Sequence, residues 1–497
     1  MRPRSFGQIS RETPVTAVDV AVVGGGFTGT AFAIHLSRTA GRPLDIAIVE
    51  PRARPGCGVA YDTDDPDHRL NAPLQVHFVY PDAPDHLHDW YVERGGPVSD
   101  LGTDDPEALG PDGNLYIRRG DFGRYVEAQL RAHIAGNASG SRIRHVRARA
   151  VAARRTADGY RLTLDGGQTL AARLTVLAAG YDRPQAPPPF AGAASGHAGF
   201  VADPWDAARL RDIPADARVL VLGMSQTASD AIAVLLRNGH NGPIAAVARR
   251  GLRPRAKPAG ASGPPPDIVE RIVRPVSLFT AAHGRHGTAL SPLHTLRAEV
   301  RRAEAAGSDW TGPFGDLRDS VWDVWPALPT AERRRFLRHL RVWYDAHRFQ
   351  LPPQVEARIA AAEAAGQLSF EAARCESAAS DGSAISVTLR RRGSGERRRE
   401  RFDAVVNCTG PALRPDRSGN PFVADLTAQG HATLHPAGIG FNVDRECRAL
   451  GAGGRADPHL RIVGPPVYGA FADQQGAAFI ALRLCALMPG IAAALQR

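Results

Sequence analysis

The pattern of apolar and polar positions near the start of the chain predicts a strand, a helix and a second strand in immediate succession. Residues 19–23 (DVAVV) form a short apolar run that suits a buried parallel strand. Residues 28–38 are typical of a helix, and another apolar run over 45–49 predicts the second strand. This order indicates a βαβ unit with a glycine-rich turn between its first strand and its helix.

The same order returns in the second half of the chain. An apolar run over 218–222, a helix ending at Arg237 and a strand over 243–247 predict a second βαβ unit. Each half then continues through polar turns and closes on a strand that ends in a small residue and glycine. The further strands that we predict are 142–152, 160–164, 174–180, 384–391 and 402–410. We therefore expect an α/β protein with two Rossmann-like dinucleotide-binding domains that carry β-meanders.

The periodicity becomes helical between residues 252 and 366, which predicts a helical insert in the second domain. The clearest helices are 293–306, 330–344 and 355–365. Thr330, followed by Glu332, is a candidate helix cap. The Pro- and Gly-rich residues 257–266 predict a flexible or polyproline loop.

These elements divide the chain into three parts. We expect an FAD-binding domain to begin over residues 1–185 and a second nucleotide-binding domain to occupy residues 186–410, with 184–189 as the hinge. Residues 411–497 contain a single short predicted strand, 460–463, and a final helix. A segment that small must complete another domain's sheet, most naturally that of the first domain.

Composition and charge exclude nucleic acid as a partner. The 497 residues suffice for two or three domains, and the formal net charge is +10. Lys257 is the only lysine, so the charge reflects arginine usage rather than a basic stripe interleaved with aromatic residues. We therefore expect a small-molecule substrate.

The cysteines indicate a reducing compartment. They are scattered along the chain as Cys57, Cys375, Cys408, Cys447 and Cys485. Without a CxxC pair or metal-ligand spacing, they predict neither a metal site nor a dithiol oxidoreductase. The N-terminal residues lack the long apolar run of a signal peptide. The apolar stretch 476–487 is interrupted by Arg483 and ended by Pro489, which favours a buried amphipathic helix over a membrane span and a cytoplasmic protein.

The glycines of the first βαβ unit have dinucleotide spacing. The loop that we expect to contact the cofactor comprises Gly24, Gly26, Phe27, Thr28 and Gly29. Gly24 permits the tight turn, Gly26 lets the backbone approach a pyrophosphate, and Gly29 lets helix and strand pack closely. Glu50 ends the second strand, where a carboxylate can accept from a ribose hydroxyl. The alternative is a glycine turn that binds no ligand.

The second loop departs from the ideal spacing. Gly223 is followed by Ser225, Gln226 and Thr227, so serine replaces the middle glycine. The next strand ends in Arg249 and Arg250 rather than an acid, and guanidinium groups suit a 2′-phosphate. This favours NADPH over NADH, unless the two arginines are only solvated charges in an arginine-rich chain.

The stretch after Glu50 contains the most specific motifs. They are Gly56-Cys57-Gly58-Val59-Ala60-Tyr61, Asp67-His68-Arg69-Leu70-Asn71-Ala72-Pro73 and Asp89-Trp90, with further matches at Phe122-Gly123-Arg124-Tyr125, Asp203-Pro204-Trp205 and Arg249-Arg250-Gly251-Leu252. Together they resemble the GxGxAY…LNxP…W signature of the FAD/NAD(P)-binding protein family that includes the flavin-dependent urate hydroxylases. The resemblance spans most of residues 18–480. It implies FAD in the first nucleotide site and a nicotinamide cofactor in the second.

The resemblance also extends the predicted cofactor contacts. They include Tyr61, Asn71, Gly180, Gly410 and Gly464. Where the family has an aromatic–acid pair near the flavin ring, this chain has Ala472-Asp473-Gln474-Gln475. The loop around Ser225 is similar, over a short stretch, to those of N-hydroxylating and Baeyer–Villiger-type flavin monooxygenases.

Two dinucleotide sites on one chain imply hydride transfer from a nicotinamide to a flavin. The reduced flavin then reacts with dioxygen, a disulfide or an organic acceptor, and the scattered cysteines exclude the disulfide. We therefore favour a monooxygenase that hydroxylates a small organic substrate through a flavin peroxide in a dry pocket. The alternatives are an NAD(P)H-dependent flavin dehydrogenase or reductase and a non-catalytic flavin-binding regulatory protein.

The sequence does not identify a catalytic acid or base. The candidates are His68, Asn71, His347 and Arg348. An equally open alternative is that Asn71 caps a turn and Arg69 pairs with an acid. His435 and Asn442 either contact the flavin or hold loops.

Overall fold

The computed structural model describes residues 16–94, 98–99, 103–258 and 265–496. The N-terminal residues 1–15, on which the signal-peptide expectation rests, lie outside these ranges, as do residues 259–264 of the predicted Pro- and Gly-rich loop. The strands are β1 (Thr16–Val23), β2 (Asp45–Val49), β3 (Val98–Ser99), β4 (Thr103–Asp104), β5 (Arg142–Val146), β6 (Ala150–Thr156), β7 (Gly159–Leu164), β8 (Thr169–Leu177), β9 (Phe200–Val201), β10 (Val219–Leu222), β11 (Ile244–Ala248), β12 (Leu368–Ser380), β13 (Ile385–Arg391), β14 (Arg397–Phe402), β15 (Ala404–Asn407), β16 (Arg448–Leu450) and β17 (Ala456–Ile462).

The helices connect and cover these strands. They are α1 (Phe27–Thr39), α2 (Gly58–Tyr61), α3 (His86–Glu93), α4 (Arg119–Ala135), α5 (Ala207–Arg211), α6 (Gln226–Arg237), α7 (Ile268–Val273), α8 (Leu278–His283), α9 (Leu290–Ala305), α10 (Thr311–Asp319), α11 (Val321–Ala327), α12 (Thr330–His339), α13 (Arg341–Arg348), α14 (Pro353–Ala364), α15 (Pro421–Ala428), α16 (Tyr468–Phe471) and α17 (Ala477–Gln496).

The first sheet has the strand order β16-β17-β8-β1-β2-β5, with β6 and β7 joined to β8 as a meander. β1 lies between β2 and β8 and is parallel to both, and its residues 20–22 are fully buried. The prediction of one strand over 142–152 is wrong, because β5 is parallel to β2 whereas β6 is antiparallel to β7. A tight turn separates them, in which Ala148 N donates to Val146 O at 2.8 Å.

The C-terminal segment completes this first sheet, as the sequence predicts. β17 pairs in parallel with β8, and α17 packs against α1. α17 is long and apolar enough to span a membrane by length and composition, but most of its apolar stretch is buried inside the molecule. The prediction that Pro489 ends this helix is wrong, since α17 continues to Gln496 and buries Ile491 and Leu495. Burial of these side chains offsets the hydrogen bond that proline removes.

The second sheet has the order β14-β13-β12-β11-β10-β15-β9. β10 is parallel to β11 and β15, and β12 turns from a parallel pairing with β11 to an antiparallel pairing with β13. The predicted strand 402–410 corresponds to β15 but is shorter, because Phe402 ends antiparallel β14 and parallel β15 runs only over Ala404–Asn407. β12 was not predicted, since its exposed and half-exposed positions give it no apolar run.

The helical insert between β11 and β12 contains α7 to α14. The helices predicted over 293–306 and 355–365 correspond to α9 and α14, but the one over 330–344 is two helices. Leu340, at φ −108°, separates α12 from α13. Thr330 begins α12 without capping it through its side chain, so the predicted cap is wrong; Pro329 takes the N-cap position. The pattern did not predict α7, α8, α10 or α11.

Candidate active site

The first glycine loop has the close contacts that its spacing requires. Gly24 has a φ of +106°, and a Cβ atom there would lie 2.6 Å from Ala178 O. A Cβ on Gly29 would lie 1.9 Å from Gly24 O, so α1 packs on β1 only with glycine at this position. A Cβ on Gly26 would stand 3.3 Å from Gly58 Cα. The loop is therefore packed against the end of β8 at Gly24, against its own turn at Gly29 and against Gly58 at Gly26.

The N-terminus of α1 is built to receive an anion. Its N-cap is Gly26, no side chain caps it, and its first turn contains no acidic residue. The first backbone N–H groups of a helix have no partner within the helix, and the helix dipole adds positive potential there. A pyrophosphate fits these donors, so the residues present suit a dinucleotide such as FAD.

Glu50 closes the same loop from the end of β2. Glu50 is 5% exposed, and its carboxylate accepts from Gly25 N at 2.9 Å and from Arg52 N at 3.0 Å. These two bonds fix both carboxylate oxygens beside the loop. Each oxygen retains a lone pair that can accept from a ribose hydroxyl.

The motif at 56–61 folds directly onto this loop. Gly56 N donates to Gly25 O at 2.6 Å, and Tyr61 meets Phe122 edge to face with ring centres 4.7 Å apart. Burial raises the pKa of Tyr61 to about 12. Cys57 is buried, and burial raises the pKa of its thiol to about 11, so it is a packing residue rather than a reactive thiolate.

The second motif has mainly structural contacts. Arg69 is 1% exposed and pairs with Asp105 at 2.7 Å, so the ion-pair alternative holds for this residue. His68 is buried with Nδ1 2.7 Å from Thr63 Oγ1, and burial lowers its pKa. Asn71 is half-buried, and its side chain forms no hydrogen bond with the part of the chain that the structure describes. The turn-capping alternative for Asn71 is not observed.

The same motif joins the two nucleotide-binding halves. Asp67 receives two hydrogen bonds from Arg237, at 2.6 and 2.8 Å, and also pairs with Arg358. Arg119 of α4 pairs with Asp230 of α6 at 2.7 Å, and both side chains are buried. The helix that begins at the second loop is thereby held against the first domain.

The second loop repeats the geometry of the first. Gly223 has a φ of +117°, and a Cβ there would lie 2.2 Å from Cys408 O, at the end of β15. This matches the relation of Gly24 to Ala178, at the end of β8. The prediction that the two halves have equivalent loops is confirmed in this respect.

The N-terminus of α6 is also uncapped. Ser225 is the N-cap, its side chain forms no capping hydrogen bond, and the first turn, with Gln226 and Thr227, has no acid. Gln226 Nε2 donates to Gln350 O at 3.1 Å. Ser225 and the backbone N–H groups beside it are therefore available to a second diphosphate.

The two arginines after β11 have different surroundings. Arg250 donates to His339 O at 2.8 Å and Arg338 O at 3.4 Å, so it binds the C-terminal carbonyls of α12. Arg249 is exposed, and its side chain contacts no partner among the described residues. Of the two, Arg249 is the one available for a 2′-phosphate.

The other predicted glycines lie where strands end or where residues 411–497, the return segment, meet the first loop. Gly180 and Gly410 have φ values of +73° and +92°, and a Cβ on either would meet no atom within 4 Å. Gly464, at φ +78°, lies against Thr28. The segment after β17 is therefore in contact with the first nucleotide loop.

His435 and Asn442 hold loops behind this segment. His435 Nδ1 accepts from Ala437 N at 3.0 Å, and a Cβ on Gly469 would lie 2.6 Å from the His435 ring. Asn442 N donates to Thr433 O at 2.8 Å. Both residues thus hold loops, His435 through its side chain and Asn442 through its backbone.

A cavity of about 640 Å³ lies between the helical insert and the return segment. Its walls come from α9 to α13 and, on the inner side, from Tyr468 and Ala472. The sequence predicted only one of its lining residues as a site residue, His347. His347 packs on Phe314 and Trp310, its Nδ1 is 2.7 Å from Trp343 O, and burial lowers its pKa.

Arg348 does not line the cavity but pairs with Asp473 behind it, with side chains 12% and 4% exposed. Asp473 lies in the segment that departs from the family motif. It follows Ala472, which has a φ of +55°, and precedes Gln474, which is fully buried with Oε1 unpartnered. Strain and unpartnered acceptors cluster where the resemblance places the flavin ring.

A group of titratable residues lies at the inner end of the cavity and was not predicted. Arg341 pairs with Asp345 at 3.2 Å and lies over the ring of Tyr468. Burial raises the pKa of Asp345 to about 6, against the opposing effect of Arg341. Tyr344 lines the cavity, and its buried hydroxyl has no partner. The i,i+4 spacing of Arg341 and Asp345 was the only sequence signal for this cluster.

Comparison with known proteins agrees with this architecture. The model of a FAD-NAD(P)-binding family matches residues 21–182, so this part of the chain is a FAD-NAD(P)-binding domain. The family resemblance drawn from the motifs is confirmed over these residues. Comparison with curated protein sequences gives no match.

Several solved structures are similar along nearly the whole chain. Ornithine hydroxylase from Pseudomonas aeruginosa, in its reduced form, has a TM-score of 0.61 at 16% identity, covering 97% of this chain and 100% of that one. Ornithine N-hydroxylase from Kutzneria sp. 744, with reduced FAD, NADP⁺ and L-ornithine, has a TM-score of 0.62 at 16% identity, covering 96% and 99%. L-lysine 6-monooxygenase from Pseudomonas syringae has a TM-score of 0.60 at 18% identity, covering 97% and 99%. The likeness confirms the predicted fold, an α/β architecture with two dinucleotide-binding domains as in flavin-dependent monooxygenases.

Proposed function

We propose that this protein is a flavin-dependent NAD(P)H oxidoreductase that uses dioxygen to hydroxylate a small organic molecule. The observation that carries the proposal is the pairing of two open helix N-termini with one cavity. Each N-terminus follows a glycine turn at the end of a central parallel strand, and the inner wall of the cavity belongs to the segment that touches the first loop. Two nucleotide sites and a separate cavity are what an enzyme with two cofactors and a substrate requires.

In this proposal the first loop binds FAD. The N–H groups of α1 hold the pyrophosphate, and Glu50 accepts from the ribose. When bound, FAD supplies the electron transfer and the reaction with dioxygen, which protein side chains cannot perform. The four steps along the chain from Gly464 to Tyr468 span at most about 14 Å, so the cavity begins within the length of a dinucleotide from the first loop.

The second loop binds the nicotinamide cofactor, and we favour NADPH. The N–H groups of α6 and the hydroxyl of Ser225 receive its diphosphate, and Arg249 is available for the 2′-phosphate. The ion pair between Arg119 and Asp230 and that between Asp67 and Arg237 keep the two loops in a fixed relation. Hydride transfer between cofactors requires such a relation.

The cavity supports oxygen chemistry rather than transfer to a disulfide. Its walls are mostly apolar, which excludes water from the reacting groups. Cys57 and Cys408 are both buried as single thiols at the nucleotide loops. Three proteins of the same fold are hydroxylases or monooxygenases, which also favours this reaction over a dehydrogenase.

The test is anaerobic mixing of the purified, FAD-loaded protein with NADPH, followed by admission of dioxygen. We expect NADPH to bleach the visible absorbance of the flavin, and oxygen uptake to rise when a substrate is present. Bleaching without substrate-dependent oxygen uptake, but with electron transfer to an organic acceptor, would indicate a dehydrogenase or reductase. A flavin that NADPH leaves oxidised would indicate the non-catalytic alternative and overturn the proposal.

A further inference from the structure

The cavity is too large and too apolar to be a packing defect. Protein interiors contain few voids larger than a water molecule, whereas small-molecule sites have volumes of about 300–1,000 Å³. At about 640 Å³ this cavity falls within the second range. One face of α9 supplies Leu293, Leu296 and Val300, and α10 supplies Phe314 and Leu317. This face fits a bulky apolar molecule.

The inner end of the cavity offers a hydrogen bond but no free charge. The hydroxyl of Tyr344 is buried and unpartnered. Neither nearby carboxylate lines the cavity, and each is paired through one oxygen, Asp345 with Arg341 and Asp473 with Arg348. An ammonium group that entered would lose its hydration without gaining a free carboxylate. A diamine is therefore a poor occupant.

The rim of the cavity favours an anion. Arg255, Arg297 and Arg301 line it and are exposed, and none forms an ion pair with a residue in the described ranges. Arg297 and Arg301 are one helical turn apart on α9, so their guanidinium groups can converge on one anion. Glu304 is the single acid of the lining, which leaves the rim with a net positive charge.

We infer that the cavity binds an organic acid with a large apolar body, with the body between α9 and α10–α13 and the anionic group at Arg297 and Arg301. The claim that such an acid is the substrate rests on the proposed function. The claim that the cavity binds such an acid rests on the lining residues alone. Trp343, 49% exposed at the rim, adds an aromatic surface beside the entrance.

Two fluorescent probes with the same apolar body test it on the FAD-loaded protein. 8-Anilinonaphthalene-1-sulfonate has the anionic group, and N-phenyl-1-naphthylamine lacks it. We expect the sulfonate to bind more tightly. Arg297→Ala/Arg301→Ala should raise the Kd of the sulfonate about five- to tenfold and leave that of the neutral probe unchanged. Arg302→Ala is the matched control, because Arg302 lies on the same helix, pairs with Glu299 and is not part of the lining.

A second variant tests the location. Leu296→Trp places an indole in the cavity and should weaken the binding of both probes. The flavin content and the melting temperature should stay unchanged. Equal binding of the two probes to the wild type, or an unchanged sulfonate Kd in the arginine double variant, would overturn the inference. L-Ornithine is the cationic comparison, and saturable binding that displaces the sulfonate would also contradict it. These readouts need no turnover. If the sulfonate binds but NADPH does not reduce the flavin, the proposed function is refuted while the inference about binding stands.

Discussion

Gly464 of the return segment lies so close to Thr28 of the first loop that a Cβ atom on the glycine would be 2.7 Å from both Oγ1 and Cγ2 of the threonine. Gly464 also has a φ of +78°, a left-handed conformation that strains other residues. Two residues 436 positions apart in the sequence thus form one wall of the candidate flavin site.

Gly464→Ala should therefore lower the flavin content of the purified protein and destabilise it by about 1–3 kcal/mol. The measurements are the ratio of flavin to protein absorbance and the melting temperature. Gly454→Ala is the matched control, since Gly454 has a φ of +70° but open space around its Cα. Equal loss of flavin in both variants would show that backbone strain, and not the contact with Thr28, is responsible.

The equivalent glycines of the two loops should separate the two cofactors. Gly24→Ala forces a Cβ against Ala178 O, and Gly223→Ala forces one against Cys408 O. We expect the first variant to lose FAD and the second to retain FAD but to be reduced by NADPH much more slowly. Flavin absorbance followed by anaerobic stopped-flow reduction distinguishes them. Retention of FAD by Gly24→Ala would contradict the assignment of the first loop as the FAD site.

Arg249 and Arg250 should differ in their effect on cofactor choice. Loss of a charge-assisted hydrogen bond costs about 1.5–3 kcal/mol, so Arg249→Ala should raise the KM for NADPH about tenfold or more and leave that for NADH nearly unchanged. Arg250→Ala, which releases the end of α12, should affect both cofactors alike. Parallel changes with both cofactors in Arg249→Ala would mean that this arginine is only a solvated charge.

Asp345 should give the protein a pH-dependent stability. Burial raises its pKa from the ordinary 3.8 to about 6, so between these values the folded protein binds a proton that the unfolded chain has released. The contribution of Asp345 to stability is therefore full below pH 3.8 and is lost as the pH rises through about 6, by up to about 3 kcal/mol.

Asp345→Asn removes this titration while keeping the size of the side chain. The melting temperature of the wild type, relative to that of the variant, should fall between about pH 4 and pH 6 and remain constant above that range. The comparison cancels other carboxylates common to both proteins. A difference that does not change with pH would mean that Arg341, 3.2 Å away, keeps Asp345 ionised throughout.

The nucleotide loops could be predicted because their chemistry is local. Gly24, Gly29 and Glu50 follow apolar runs at fixed spacing, and the contact that requires glycine at position 29, with Gly24 O, lies within one βαβ unit. The placement of β17 in the first sheet was predictable for another reason. A single strand followed by one helix has no sheet of its own to join.

The cavity was not predictable, since its walls come from residues between Arg255 and Ala472 on several helices. A leucine such as Leu296 has the same helical spacing whether it faces a packed core or an open cavity. The break at Leu340 was missed for a related reason: the residues on either side of it are good helix formers, and tertiary packing sets the change of direction.

The position of β17 and α17 has a consequence for the order of folding. Both elements follow the second sheet in the chain, yet they complete the first. During synthesis, the second sheet can therefore close before the first sheet has received its parallel partner for β8. The first sheet therefore cannot be complete until the C-terminal segment has been made, and until β17 emerges from the ribosome the edge of β8 at Thr175–Leu177 lacks its partner and is open to association with other nascent chains.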